Sequence, residues 1–140
     1  MIDNYLHLSI EDIEKEEWRD LEEYPTNLVK RVHEIRKKRI SDYDLDDYRI
    51  AISQNLGIGV LIPVVAKILE ANILIETAYY PGDLLQVVLQ KDDYWKDHLL
   101  EKEKVQSFLI RKKNEIMQST QITDEIKTKL LSSVDQFISG

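Results

Sequence analysis

The residues of this chain that could do chemistry are three histidines and a large set of carboxylates, with no cysteine among them. His7, His33 and His98 stand far apart, and none falls in an HExxH or other ligand spacing. Asp42, Asp44, Asp46 and Asp47 crowd into six residues and invite a calcium reading. An EF-hand loop needs a central glycine and a glutamate at its twelfth position; counted from Asp42, those places hold Asp47 and Ser53. Calcium is rejected. The Gly57-Ile58-Gly59 step lacks a preceding strand and a third glycine, so it builds no dinucleotide site. A serine nucleophile elbow is also missing. Carboxylate pairs arise by chance in an acidic helical chain. We therefore expect no enzyme, no cofactor and no metal. Arg49 and Gln54, polar residues beside an apolar run, are read as donors to backbone carbonyls and loop ends.

Charge points toward binding. The formal net charge is −7, which argues against nucleic acid as a direct ligand and suits a basic protein partner. Residues 1–24 hold nine acidic groups against Lys15 and Arg19, whereas residues 28–39 carry six cations against Glu34. Such blocks serve as solvated helix faces, and acidic ones also steer basic partners. At 140 residues the chain is read as one domain, 1–140, able to bury a core unaided. The N-terminal stretch shows no basic region followed by an apolar one, and no membrane span stands out, so a cytoplasmic location is expected.

These side chains need elements to position them, and the patterning is helical throughout. Ser9 with Asp12 forms a capping-box signature opening a helix to about Leu21, with Ile10, Ile13, Trp18 and Leu21 as candidates for its inner side. Thr26 or Asn27 caps a second helix with Leu28, Val32 and Ile35 inward and its basic residues mainly outside. Asp44 or Asp46 caps a third, with Leu45, Tyr48, Ile52 and Leu56 inward. From Val60 to Ile75 the sequence is apolar almost all round, as in a helix wrapped by its neighbours, with Gly57 and Gly59 bracketing its entry and Pro63 in its first turn. Pro81-Gly82 makes a turn, and Asp83 is placed to cap the helix that follows. A helix capped by Asp92 or Asp93 runs to about Gln118, with Leu99, Val105, Phe108, Leu109, Ile116 and Met117 inward. A last one opens at Thr123, with one face marked by Ile126, Leu130, Leu131, Val134, Phe137 and Ile138. The expected fold is an all-α bundle of six to seven helices around a buried central helix at about 59–75.

One series of blocks carries a resemblance. Asp47-Tyr48-Arg49 through Gln54, then Gly59 to Pro63, then Tyr80-Pro81-Gly82-Asp83-Leu84-Leu85, and finally Tyr94-Trp95 occur in the order seen in the immunity proteins of contact-dependent growth inhibition. The likeness runs from about Trp18 to His98. Two residues depart from the family pattern: Tyr48 stands where leucine is usual, and Arg39 where proline is expected.

The resemblance implies a small antidote that binds the C-terminal toxin domain of a cognate effector, most often a basic nuclease, with an RNase favoured. Three surfaces compete for that contact: Glu14, Glu16, Glu17 and Asp20; the connector Asp42, Asp44, Asp46 and Asp47; and Tyr79, Tyr80, Asp92 and Asp93. Arg49, Gln54, Gly57, Gly59, Pro63, Pro81, Gly82, Asp83 and Trp95 form the framework. The alternative class is an acidic helical adaptor or regulatory binding protein without a toxin partner.

Overall fold

A computed structural model describes residues 5–140; residues 1–4, where the stretch read as leaderless begins, lie outside the described residues. The described chain is all-α, with eight α-helices, a 3-10 turn at Ile40–Asp42 and no strand beyond two isolated bridges. The helices are α1 Ile10–Glu14, α2 Asn27–Lys37, α3 Leu45–Ser53, α4 Ile58–Ala71, α5 Asp83–Leu89, α6 Asp92–Asp97, α7 Leu99–Met117 and α8 Asp124–Ser139. The eighth arises because His98 breaks the expected 92–118 helix in two. No helix among the described residues is long and apolar enough to cross a membrane. The chain divides into two compact units, Met1–Leu61 and Ile62–Gly140, the boundary falling inside α4.

In the first unit α1 packs on α2 and α2 on α3. Ile10, Ile35, Ile40, Tyr48, Ile50, Ala51, Ile52, Leu56 and Leu61 are its buried apolar residues. Leu28, expected inward, is exposed; Arg36 takes an interior place on α2, the exception among cations expected to lie mainly outside. Helix α1 stops at Lys15, in the left-handed conformation, far short of Leu21. The capping box at its start does form, with Asp12 N–H donating to Ser9 Oγ and Ser9 N–H to Asp12 Oδ2. At Gly57, φ is +53°, and an added Cβ would meet Ile10 at 3.0 Å, so this position takes glycine for both conformation and space.

Helix α4 begins at Ile58, so Pro63 is its sixth residue and not part of its first turn. There it withholds the N–H that would have bonded the carbonyl of Gly59. Gly59 itself is exposed in open space. The helix ends at Ala71, and Ile73–Ile75, expected within it, lead into a turn.

In the second unit α8 packs on α5 and α7, and α6 on α7. Helix α5 is the most enclosed, with every residue but Val87 buried. Leu109 and Leu130 have no exposed surface; truncating either to alanine would cost about 2–5 kcal/mol. Leu99 and Met117, expected inward, are exposed. Thr123 caps α8 as its position predicts, accepting from Ile126 N–H. The α6 N-cap is Lys91, whose side chain makes no capping hydrogen bond, rather than Asp92 or Asp93.

Candidate functional site

The three candidate surfaces differ in how their charge is spent. The connector is the most neutralised. Asp44 caps α3, accepting from Asp47 N–H at 2.7 Å, and Asp47 accepts in return from Asp44 N–H at 3.0 Å. Asp47 is 1% exposed and also receives Arg31 Nη2 at 2.7 Å and Lys38 Nζ at 2.8 Å. Arg31 reaches Asp44 and Asp46 as well, at 3.7 and 3.8 Å. Arg49 Nε donates to Asp46 at 2.7 Å, so this residue bonds a carboxylate of its own helix. Arg39 pairs with Asp42 at 3.5 Å. Four carboxylates thus meet four cations. Burial would raise the Asp47 carboxyl, but the hydrogen bonds from Lys38, Arg31 and the Asp44 backbone outweigh it and hold its pKa below the ordinary value. Gln54 is exposed at the end of α3, its backbone N–H donating to the Ile50 carbonyl while the next N–H, of Asn55, donates to the Ile52 carbonyl.

The N-terminal acidic segment is built differently. After α1 the chain runs without helix to Thr26, the N-cap of α2. Arg36 of α2 is 1% exposed and holds this segment from beneath. Its Nη1 donates to the Glu16 carbonyl at 2.7 Å and its Nη2 to Glu14 Oε1 at 2.8 Å, while its Cζ lies 4.3 Å from the Trp18 ring centroid. A helix continuing past Lys15 would offer that same Glu16 carbonyl to the Asp20 N–H. Arg36 occupies it here, and α1 closes at left-handed Lys15, with Glu16 N–H donating back to the Glu11 carbonyl at 3.3 Å. Trp18 and Tyr24 both set ring edges against His33, at 5.1 and 5.0 Å. Trp18 is thus half-buried against α2 rather than on a helix of its own. Lys37 pairs with Asp20, and their hydrogen bond holds the Asp20 carboxyl below its ordinary pKa.

Glu16, Glu17, Glu22 and Glu23 remain. All four are exposed, and no ion pair among the described residues engages them. Across residues 11–23 eight carboxylates stand against Lys15 and Arg19 within the segment and Arg36 and Lys37 from α2. The sequence signals the acidic block. It does not signal the buried arginine, which looks like one cation in a basic helix.

In the second unit the Tyr80–Asp83 turn has its own buried charge. Asp83 does not cap its helix; Gly82, at φ +97°, occupies that place. The Asp83 carboxylate instead accepts from Thr77 N–H at 2.9 Å, Thr77 Oγ1 at 2.7 Å, Ala78 N–H at 3.0 Å and Tyr79 N–H at 2.9 Å. Burial would raise its pKa, yet these donors hold it below the ordinary value. Pro81 is half-buried, with an isolated bridge back to Glu76. Tyr79 projects from the loop, 72% exposed, while Tyr80 is half-buried. Asp92 and Asp93 are exposed in the first turn of α6. Trp95 is buried, its indole N–H donating to the Val88 carbonyl at 3.0 Å and its ring set edge-on to Phe137.

A cleft of about 400 Å³ in this unit is lined by Trp95, Phe137, Lys96, Lys102 and Asp92 among others. Of the histidines, His98 stacks on Tyr94 at 3.9 Å with its Nδ1 2.7 Å from that residue's carbonyl oxygen. The Tyr94 hydroxyl donates to Glu101 at 2.6 Å. No group of three His, Asp or Glu among the described residues could hold a metal ion.

Comparison with known proteins adds one finding. A family model of CDI immunity proteins matches residues 12–105, a span that takes in the Arg36-held segment, the connector, α3, α4, the Asp83 loop and the buried Trp95. No curated protein and no solved structure matches the chain. The match covers well over half of the 140 residues, and the blocks that carried the resemblance all fall within it. The chain belongs to the CDI immunity proteins.

Proposed function

We propose that this protein neutralises its cognate toxin domain, a nuclease and in the favoured reading an RNase, by laying the acidic segment Glu14–Glu23 over the toxin's cationic substrate cleft. The antidote turns nothing over. Its carboxylates stand where phosphates would bind, so encounter and blockade rest on the same charges. A nuclease must gather Lys and Arg to accept a nucleic-acid backbone, and that requirement makes an acidic protein face a general answer to it.

The observation that carries this reading is the contrast between two acidic blocks of one unit. Asp42–Asp47 is matched by Arg31, Lys38, Arg39 and Arg49 and presents little free charge. Glu16, Glu17, Glu22 and Glu23 are exposed and engaged in no such pair. Charge already satisfied inside a protein is poorly available to a partner.

The test is growth rescue and nuclease inhibition using the toxin domain encoded immediately upstream. Neutralising Glu16, Glu17, Glu22 and Glu23 to glutamine is expected to abolish rescue, while Asp42→Asn with Asp93→Asn leaves it intact. Full rescue by the fourfold variant would sink the acidic-segment reading. An upstream toxin domain without nuclease activity would remove the substrate assignment.

A further inference from the structure

We infer that Arg36 is a positioning residue for toxin binding: it fixes the backbone of the acidic segment in the shape the toxin meets. This inference rests on the acidic-segment reading above. Residues 16–24 have no helical hydrogen bonds of their own, and a chain so acidic would repel itself into an extended, changing form. Three contacts oppose that, and all converge on one guanidinium. Nη1 holds the Glu16 carbonyl, Nη2 holds Glu14, and the planar group lies against the Trp18 ring. Each contact uses a different feature of arginine: the forked donors for two acceptors, and the flat cation for the aromatic face.

A lysine cannot supply all three. His33, wedged between Trp18 and Tyr24, extends the clamp toward the far end of the segment. Glu16, Glu17, Glu22 and Glu23 thus lie within or beside a stretch fastened at Glu14, Glu16, Trp18, Asp20 and Tyr24. The ordering cost of presenting four carboxylates to a partner is met during folding and not at binding. The guanidinium Nε has no partner, and its burial makes sense only if the other contacts hold it in place.

The experiment compares Arg36→Lys, Trp18→Ala and the fourfold glutamine variant with the unaltered protein. Hydrogen exchange reads the free protein, and binding kinetics are measured against the purified upstream toxin domain. Arg36→Lys keeps the net charge and is expected to speed exchange of the residue 16–23 amides about tenfold, leaving α3 and α5 unchanged. It should weaken toxin binding by a similar factor, almost wholly through faster dissociation, with the salt dependence of association unaltered. Trp18→Ala should do the same, so a variant that fails to fold does not decide the matter alone.

Faster exchange with unchanged dissociation in both variants would overturn the positioning role. A general rise in exchange across α2 and α3 would overturn it too, showing Arg36 to be a core residue only. If the fourfold glutamine variant binds as well as the unaltered protein, the acidic-segment reading itself fails. If it loses binding while Arg36→Lys and Trp18→Ala keep it, only the positioning inference fails.

Discussion

The loop at residues 76–82 and the segment at residues 15–24 are each organised around one buried ionisable side chain, of opposite sign and unequal completeness. Asp83 collects four donors from within six residues of itself, using both oxygens. Arg36 recruits Glu14 and Glu16 from 22 and 20 residues away, leaves its Nε without a partner and holds one ligand, Glu14, that is 41% exposed. A carboxylate ringed by backbone N–H groups loses much if any donor leaves. Loss of Glu14 would cost that exposed carboxylate little but leave the guanidinium, 1% exposed, without its counter-ion, so this hold depends on a ligand that water can reach. The first arrangement suits a fixed framework. The second suits a surface that must be shaped yet belongs to the less stable part of its unit.

Substitutions can break or sharpen this contrast. The largest effect is expected at Gly82→Ala. Its φ of +97° disfavours any side chain, and the new Cβ would lie 2.6 Å from Leu130 Cδ1. Left-handed strain and overpacking together should cost roughly 2–4 kcal/mol, read as a fall in the thermal unfolding midpoint. Asp83→Ala should follow at about 2–3 kcal/mol, because the Thr77, Ala78 and Tyr79 N–H groups lose their acceptor together.

Acid should expose the same dependence. Asp47 and Asp83 both titrate below the ordinary carboxylate range when folded, so the unfolded chain takes up protons first as pH falls. Their contribution is full above about pH 4 and is lost as pH drops through the folded values. Asp83→Asn should flatten that acid limb in a pH series of unfolding midpoints, and an unchanged limb would show the carboxylate to be inessential.

A smaller stability loss, about 1–2 kcal/mol, is expected for Arg36→Met, since the apolar stem space stays filled and Glu14 can turn to solvent. A loss equal to that of Asp83→Ala would erase the distinction between the two regions. Least affected should be the Glu16, Glu17, Glu22 and Glu23 fourfold glutamine variant, within about 0.5 kcal/mol of the unaltered protein, because these side chains are exposed and in no ion pair among the described residues.

Much of this architecture was legible in the sequence because its signals are local. Capping at Ser9, Thr26, Asp44 and Thr123 links residues three apart, and all four form. Asp83 was read as the cap of the helix after it and not as the acceptor for the loop before it. The capping rule looks forward into a helix, while this carboxylate reaches backward. The interior position of Arg36 was not legible, since nothing within a few residues marks a cation that stacks on a tryptophan 18 positions away. Helix α1 was drawn too long because Lys15, which turns left-handed to end it, is neither the glycine nor the asparagine that marks such a cap in a sequence. Leu28, Leu99 and Met117 fit an apolar period and remain exposed. Periodicity identifies a face without saying whether anything covers it. Among the candidate surfaces, the sequence marked the carboxylates as acidic but could not tell paired from unpaired ones, and it did not single out Glu22 and Glu23.

The central claim is tested most directly by the association rate of this protein with the upstream toxin domain across a salt series, for the unaltered chain and the fourfold glutamine variant. The unaltered rate is expected to fall steeply between low and physiological ionic strength, and the variant to be about tenfold slower at low salt with a nearly flat dependence. Identical rates and identical salt slopes for the two proteins would contradict it.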